Sequence, residues 1–199
     1  MRKSFVMMIF FIIGIISGNK TVMGKLVSGV DLSIYALYIL LFLVGIGIGA
    51  DRRTWKIIRR ANIKIFLIPI SVIFGTLSIV GLLSFLIPDI NYLESLAIGS
   101  GFGYYSLSSV LITQLKGQTL GVLALLSNIT REILTLLLTP FLVKYFGKLA
   151  PIASGGATSM DTTLPIITKF TGKEYALISV FNGIILTLIV PFLITLILR

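Results

Sequence analysis

The sequence predicts an all-α membrane protein, a polytopic bundle of about seven transmembrane segments with one or two discontinuous helices. Of its 199 residues, 56% are apolar and only 12% are charged. Soluble domains carry roughly 45–50% apolar and about 25% charged residues. A soluble globule of this length would leave much of that apolar surface in water, so a lipid bilayer is the expected surrounding.

The apolar residues fall in runs that are long enough to cross a membrane. A helix needs about 20 mostly apolar residues to span the bilayer core. We expect spans near residues 5–18, 31–50, 65–87, 94–113, 120–143, 149–168 and 175–198. The first run also resembles a signal peptide, but its end at Ile16-Ser17-Gly18 is a poor cleavage site, and a retained helix is expected. No linker interrupts the series, which predicts one transmembrane transporter domain over residues 1–199.

The net charge of +10 is concentrated in one short polar break. Residues 51–64 hold six basic side chains: Arg52, Arg53, Lys56, Arg59, Arg60 and Lys64. A basic loop beside membrane spans indicates orientation and contact with anionic lipid, so we expect no nucleic-acid partner. Placing this loop in the cytoplasm puts the N-terminus inside and the C-terminus outside. Eleven basic residues then lie inside and five outside, with Arg131 in the membrane, which agrees with the positive-inside rule.

The sequence lacks the residue types that several classes of chemistry require. The chain has no cysteine and no histidine, which excludes disulfides and thiolate metal sites and removes the commonest general base and most zinc chemistry. An intramembrane aspartyl hydrolase needs two aspartates on facing helices, whereas Asp161 is the one aspartate at membrane depth. We therefore expect no enzyme activity, metal or cofactor.

The first polar interruption lies at residues 99–109. Glycines at three alternate positions, 99, 101 and 103, weaken a helix, since each costs up to about 1 kcal/mol relative to alanine. Hydroxyl side chains follow directly, and an unwound stretch is tolerated in a membrane only inside protein or beside a wet cavity. The candidate binding residues here are Tyr104, Tyr105, Ser106 and Ser108.

The second interruption lies at residues 154–165, where a glycine pair precedes a polar cluster and Pro165. This composition predicts a discontinuous helix of the kind that forms substrate sites in secondary transporters. The alternative is a loop between two shorter spans. The candidate residues are Gly155, Gly156, Thr158, Ser159, Asp161, Thr162 and Thr163. The two interruptions also align with each other at an offset of 55 residues, which hints at an internal repeat.

A third polar group lies on the predicted helix 120–143. Asn128, Glu132, Thr135 and Thr139 are spaced to form one stripe along a helix face. A charge at the membrane midplane costs about 2.5–3.5 kcal/mol on insertion scales, so such residues are rare and usually functional. Glu132 is therefore a candidate proton or cation site. Arg131 is either a binding residue or the neutralising partner of a carboxylate on another helix.

At these three segments the sequence resembles the LysO family of bacterial lysine exporters. The resemblance is carried by residues 101–109, by the Asn128-x-x-Arg-Glu132 pattern and by the unusual stretch 155–165, and it extends from the second predicted span to Pro191. It implies export of L-lysine and of toxic lysine analogues across the cytoplasmic membrane. It also implies that intramembrane acids are needed, and the matching positions are Asp161 and Glu132.

The resemblance leaves one departure. Longer members of the family carry extra amino-terminal helices with another membrane acid, and this chain begins near the shared region. We expect a small separate membrane subunit, a homo-oligomer or a different activity, and the alternative function is a non-transporting subunit that completes a heteromeric exporter. Our mechanistic hypothesis is that Asp161 binds a proton and the substrate ammonium in turn, because burial makes a bare carboxylate costly.

Overall fold

The computed structural model describes residues 63–199, together with a few scattered positions between 35 and 50. In this part of the chain every regular element is a helix. The α-helices are α1 (Leu67–Ser84), α2 (Tyr92–Gly99), α3 (Tyr105–Lys116), α4 (Gln118–Phe146), α5 (Ala150–Gly155), α6 (Leu164–Thr171) and α7 (Ala176–Leu198). Short 3₁₀ turns at Ile63–Phe66, Gly156–Met160 and Lys173–Tyr175 complete them. The predicted spans 5–18 and 31–50 and most of the basic loop 51–64 lie outside the described residues.

Three of the described helices are long and apolar enough to cross a membrane. They are α1, α4 and the continuous stretch Lys173–Leu198 that contains α7, and they match the predicted spans 65–87, 120–143 and 175–198. Their outward faces carry exposed apolar side chains such as Phe74, Leu137 and Phe192. Those faces suit lipid contact, and the prediction of an all-α membrane bundle is confirmed.

The other two predicted spans, 94–113 and 149–168, are interrupted helices. The first is divided between α2 and α3 by an irregular stretch at residues 100–104. In the second, α5 ends at Gly155, the backbone continues as the 3₁₀ turn Gly156–Met160, and the α-helix resumes with α6. The prediction of discontinuous helices is therefore confirmed, and the alternative of a simple loop at 154–165 is not what the backbone forms. The two ends of the second segment lie together, because Lys148 and Glu174 form an ion pair at 3.7 Å. Since the bilayer core is about 30 Å thick, residues 149–168 turn back toward their starting side instead of crossing as the predicted span.

Small residues let the helices approach closely around the two interruptions. Gly117 (φ +94°) ends α3 and allows α4 to fold back along it. In that pair Gly121 packs against Thr113, and a Cβ atom there would also lie 2.9 Å from the Ser109 carbonyl oxygen. On α7, a Cβ at Gly183 would lie 2.7 Å from the Ala157 carbonyl oxygen. Gly121 thus lets α4 pack closely against α3, and Gly183 lets α7 contact the irregular backbone of the second interruption.

Candidate functional site

The two interruptions contact each other through their backbones. The Ala157 N–H donates to the Phe102 carbonyl oxygen over 2.8 Å, which joins the second irregular stretch to the first. Gly156 (φ +59°) lies so close that a Cβ atom there would collide with the same Phe102 oxygen. Gly103 (φ +94°) similarly faces the Gly155 carbonyl, 3.0 Å from where its Cβ would be. We call this contact between residues 102–103 and 155–157 the crossing. Glycine is required there because the backbones touch and the φ angles are positive.

Asn128 of α4 satisfies the backbone groups that the first interruption frees. Its Oδ1 accepts a hydrogen bond from the Gly103 N–H at 2.7 Å, and its Nδ2 donates to the carbonyls of Ile98 at 3.3 Å and Ala124 at 2.8 Å. The side chain is buried. Since an unpartnered buried amide is costly, Asn128 replaces part of the lost helical bonding.

Arg131, three residues further along α4, serves the second interruption. Its Nε donates to the Ser154 carbonyl at 2.9 Å and its Nη2 to the Ala153 carbonyl at 3.1 Å. These carbonyls end α5, where a helix carries partial negative charge that a cation stabilises. Its Nη1 also donates to Thr76 Oγ1 of α1 at 3.3 Å. Arg131 therefore ties three segments together.

Arg131 was expected to be either a binding residue or the neutralising partner of a carboxylate on another helix. Within residues 63–199 no carboxylate lies within 4 Å of the guanidinium, and the ion pair found there joins Lys148 to Glu174 at 3.7 Å on the surface. Arg131 is thus held by backbone carbonyls rather than by an acid in this part of the chain. An open cleft of about 350 Å³ between α1 and Ala153 leads to its side chain.

The last helix adds a polar group that sequence reasoning missed. Asn182 of α7 is fully buried, and its Nδ2 donates to the Ile152 carbonyl (3.3 Å), the Gly156 carbonyl (3.0 Å) and Ser159 Oγ (3.2 Å). Ser159 and Ser179 exchange hydroxyl-to-carbonyl bonds of 2.8 and 2.7 Å. An asparagine within a run of apolar residues was the available signal, since polar groups at membrane depth need partners.

Asp161 lies in the turn between the 3₁₀ stretch and α6, and its side chain is exposed among the described residues. Its Oδ1 accepts hydrogen bonds from the Thr162 N–H at 2.6 Å and the Thr162 hydroxyl at 3.4 Å. The Ala157–Phe102 hydrogen bond joins the segment that carries this acid to the segment that carries the Tyr104 phenol.

Glu132 is the central residue of the 29-residue helix α4 and is half-buried. The predicted stripe holds for its neighbours, because Asn128, Thr135 and Thr139 are all buried. Thr135 Oγ1 lies 2.7 Å from Ser154 Oγ on the second interrupted segment. Glu132 is the one member of the predicted stripe that is not fully buried.

The remaining predicted residues divide by burial. Gly155, Gly156, Thr158, Ser159, Thr163 and Ser108 are buried, Tyr104 and Tyr105 are half-buried, and Ser106 and Thr162 are exposed. The buried hydroxyls bond mainly to nearby backbone, as when Thr158 Oγ1 donates to the Gly155 carbonyl at 2.9 Å. They support the crossing, whereas the exposed side chains are accessible to a ligand.

Comparison with known proteins places this architecture in a family. Residues 8–198 match the family described as lysine exporter LysO. The lysine exporter LysO of Escherichia coli K12 is 36% identical over 167 residues, which cover 82% of this chain and 54% of that protein. The chain thus spans about half the length of that relative.

A second relative has nearly the same extent as this chain. A Haemophilus influenzae Rd protein with the provisional name of lysine exporter is 34% identical over 162 residues, which cover 81% of each chain. No solved structure matches. The resemblance inferred from residues 101–109, 128–132 and 155–165 is confirmed, and the chain belongs to the lysine exporter LysO family.

Proposed function

We propose that this protein is a secondary active transporter that exports L-lysine, and toxic lysine analogues, in exchange for protons. The observation that carries the proposal is the contact between two interrupted helices beside Asp161. Paired interruptions of this kind form substrate sites in secondary transporters, because freed backbone groups and helix ends provide polar ligands within the membrane. The choice of lysine rests on family membership and on the names of the two relatives.

Asp161 is the proposed site at which the substrate ammonium and the proton compete. In residues 63–199 the bonds to its carboxylate come from Thr162 and engage Oδ1 alone. The Oδ2 atom is thus available to an ammonium group, for which a charge-assisted hydrogen bond is favourable. The exposed hydroxyls of Thr162 and Ser106 and the phenols of Tyr104 and Tyr105 would complete the polar surroundings.

The buried residues of the crossing have a different proposed role. Asn128 and Arg131 hold the two interruptions in place through four hydrogen bonds to backbone atoms of the two segments. They fix the geometry of the backbone around Asp161 but do not bond to its carboxylate. Glu132, at the centre of α4, is the second proposed proton or cation site.

Proton exchange addresses an electrical difficulty. Moving one positive charge outward against an inside-negative potential costs about 2.3 kcal/mol per 100 mV. Exchange of one lysine cation for one incoming proton moves no net charge and removes this cost. A single carboxylate that binds either cation enforces such exchange when a covering partner buries it, because it is then unfavourable when bare.

The proposed location is the bacterial cytoplasmic membrane, with the N-terminus inside and the C-terminus outside. The proposed partners are L-lysine, protons, and a second copy of the chain or a small membrane subunit. The Asp161 side chain is exposed among the described residues, which favours a partner that covers it. This exposure also supports the second candidate function, a non-transporting subunit of a heteromeric exporter.

Two measurements test these alternatives. Proteoliposomes that contain the purified chain and are loaded with labelled lysine should release it faster when the outside is made acidic. Release that ignores the imposed pH gradient contradicts proton exchange. Expression of the chain alone in cells that are sensitive to a lysine analogue should protect them, whereas protection that needs a second membrane protein identifies the chain as a subunit.

A further inference from the structure

The described residues contain the same arrangement of elements twice. Each copy has a short helix, an interruption, a second helix, a glycine with positive φ and a long helix: α2, α3 and α4 in the first, and α5, α6 and α7 in the second. The helix-ending glycines Gly117 and Gly172 are 55 residues apart, with φ +94° and +108°.

An asparagine on each long helix binds the interruption of its own copy. Asn128 Nδ2 donates to the Ile98 carbonyl and Asn182 Nδ2 to the Ile152 carbonyl, both at 3.3 Å and both across 30 residues. The two asparagines are therefore equivalent, and this equivalence pairs Phe102 with Gly156 and Gly103 with Ala157.

The central peptides of the two equivalent turns face opposite ways. In the first turn both central residues, Phe102 and Gly103, have positive φ, as in a type I′ turn. In the second turn Gly156 has φ +59° and ψ −123°, and Ala157 has a negative φ, as in type II′. Type I′ and type II′ turns differ by rotation of the central peptide. The Phe-Gly and Gly-Ala sequences impose this difference, since alanine disfavours the positive φ that glycine accepts at residue 103.

The opposite orientations have a direct consequence for the contact between the turns. The 102–103 peptide presents its N–H to Asn128 Oδ1 and its carbonyl to the other segment. The 156–157 peptide presents its carbonyl to Asn182 Nδ2 and its N–H to the Phe102 oxygen. If both peptides had the same orientation, two carbonyl oxygens would face each other across the crossing. The cross-bond therefore needs the asymmetry.

The asymmetry leaves one acceptor without a partner. Asn182 Oδ1 is buried and has no hydrogen bond within the described residues, although the equivalent atom of Asn128 accepts from Gly103. Buried polar atoms are nearly always paired, and rotation of the 156–157 peptide would turn the Ala157 N–H toward this oxygen. The observed orientation therefore leaves Asn182 Oδ1 unpaired but preserves the hydrogen bond from Ala157 to Phe102 between the two segments.

We propose that Asn182 is a positioning residue for transport. It holds the 156–157 peptide in the orientation that bonds to Phe102, and so couples the turn that carries Asp161 to the segment that carries Tyr104. The two interrupted helices then move together during transport. This inference rests on the chain being a carrier, but not on the identity of its cargo.

Ala157→Gly tests the proposal with the loss of one methyl group. Glycine at residue 157 allows the type I′ orientation, in which Asn182 Oδ1 gains a donor and the bond to Phe102 is lost. Because the chain has no cysteine, spin labels at Lys116→Cys and Lys169→Cys report the distance between α3 and α6 by pulsed electron resonance. We expect one narrow distance distribution in the parent protein and a second population in Ala157→Gly.

The matched control is Ala97→Gly, which also removes a buried methyl group but lies within α2. It should lower thermal stability and keep one narrow distribution. Asn182→Asp, which keeps an acceptor and loses the donors to Ile152 and Gly156, provides a second variant and should also broaden the distribution. A single narrow distribution in both Ala157→Gly and Asn182→Asp, with transport at the parent rate, would overturn the proposal. If the parent fails to transport lysine while the second population appears, the assignment of cargo fails and the coupling stands.

Discussion

The two interrupted segments cross at one place but direct their polar groups differently. At the first, residues 100–103 are buried and Asn128 binds both a freed N–H and a freed carbonyl. At the second, Gly155–Ser159 is equally buried, but the chain then turns outward and exposes Asp161 and Thr162. The first segment is thus held in place by buried hydrogen bonds, whereas the second combines a buried, hydrogen-bonded part with an exposed carboxylate. Their difference separates the buried polar residues, which bond to backbone, from the exposed ones that we propose as ligand-binding residues.

The largest effect on transport is expected from removal of the charge that distinguishes the second segment. Asp161→Asn keeps the shape of the side chain but cannot exchange a proton. Loss of a charge-assisted hydrogen bond costs about 1.5–3 kcal/mol, which is about tenfold to hundredfold in affinity. Lysine-proton exchange in proteoliposomes should fall to background. Asp89→Asn, in the exposed turn after α1, is the control, and equal losses in both variants would contradict the role of Asp161.

The next largest effect is expected on thermal stability, from loss of the hydrogen bonds that Arg131 donates to the second segment. Arg131→Met removes the donors to the carbonyls of Ala153 and Ser154. Each unsatisfied buried group costs about 1–3 kcal/mol, so the melting temperature in detergent should fall by several degrees. Arg131→Lys should lose less, because it keeps the charge but not the forked geometry. Lys144→Met, an exposed change on the same helix, serves as control. Unchanged melting of Arg131→Met would show that these bonds are not structural.

A smaller effect on stability is expected from loss of the hydrogen bonds by which Asn128 holds the first segment. Asn128→Ala leaves the Gly103 N–H without its acceptor, at a cost of about 1–3 kcal/mol. The same truncation at Ser127, the exposed neighbour on α4, should be nearly neutral. Chemical denaturation of both variants in detergent measures the difference, and if Ser127→Ala is as destabilising as Asn128→Ala, the first segment is not held as described.

The smallest effect is expected outside both segments. Lys148 and Glu174 form an exposed ion pair at 3.7 Å. Exposed pairs contribute about 0–1 kcal/mol and are screened by salt. Glu174→Gln should therefore leave lysine exchange and thermal stability close to those of the parent protein at physiological salt. A large loss would mean that this surface takes part in transport.

The membrane helices and the interruptions could be predicted because their signals are local. Apolar length marks α1, α4 and α7, and clustered glycines mark residues 99–103 and 155–156. Helical periodicity likewise predicted that Asn128, Thr135 and Thr139 share one face, and all three are buried.

The partners of the polar residues could not be predicted, because they come from distant parts of the chain. Arg131 binds carbonyls 22 and 23 residues away, and Asn182 binds a carbonyl 30 residues away. Spacing along one helix carries no information about such contacts. The same limit applies to Asp161, whose exposure depends on how α6 and the 3₁₀ turn pack. The roles of Asp161 and Glu132 in transport stay predictions.

The central claim is that one carboxylate binds either lysine or a proton. Addition of lysine to the purified protein in weakly buffered detergent solution, repeated over a range of pH, measures this directly with a pH electrode or indicator dye. We expect release of one proton for each lysine bound by the parent protein, and neither binding nor release in Asp161→Asn. Lysine binding without proton release, or release that persists in Asp161→Asn, would contradict it.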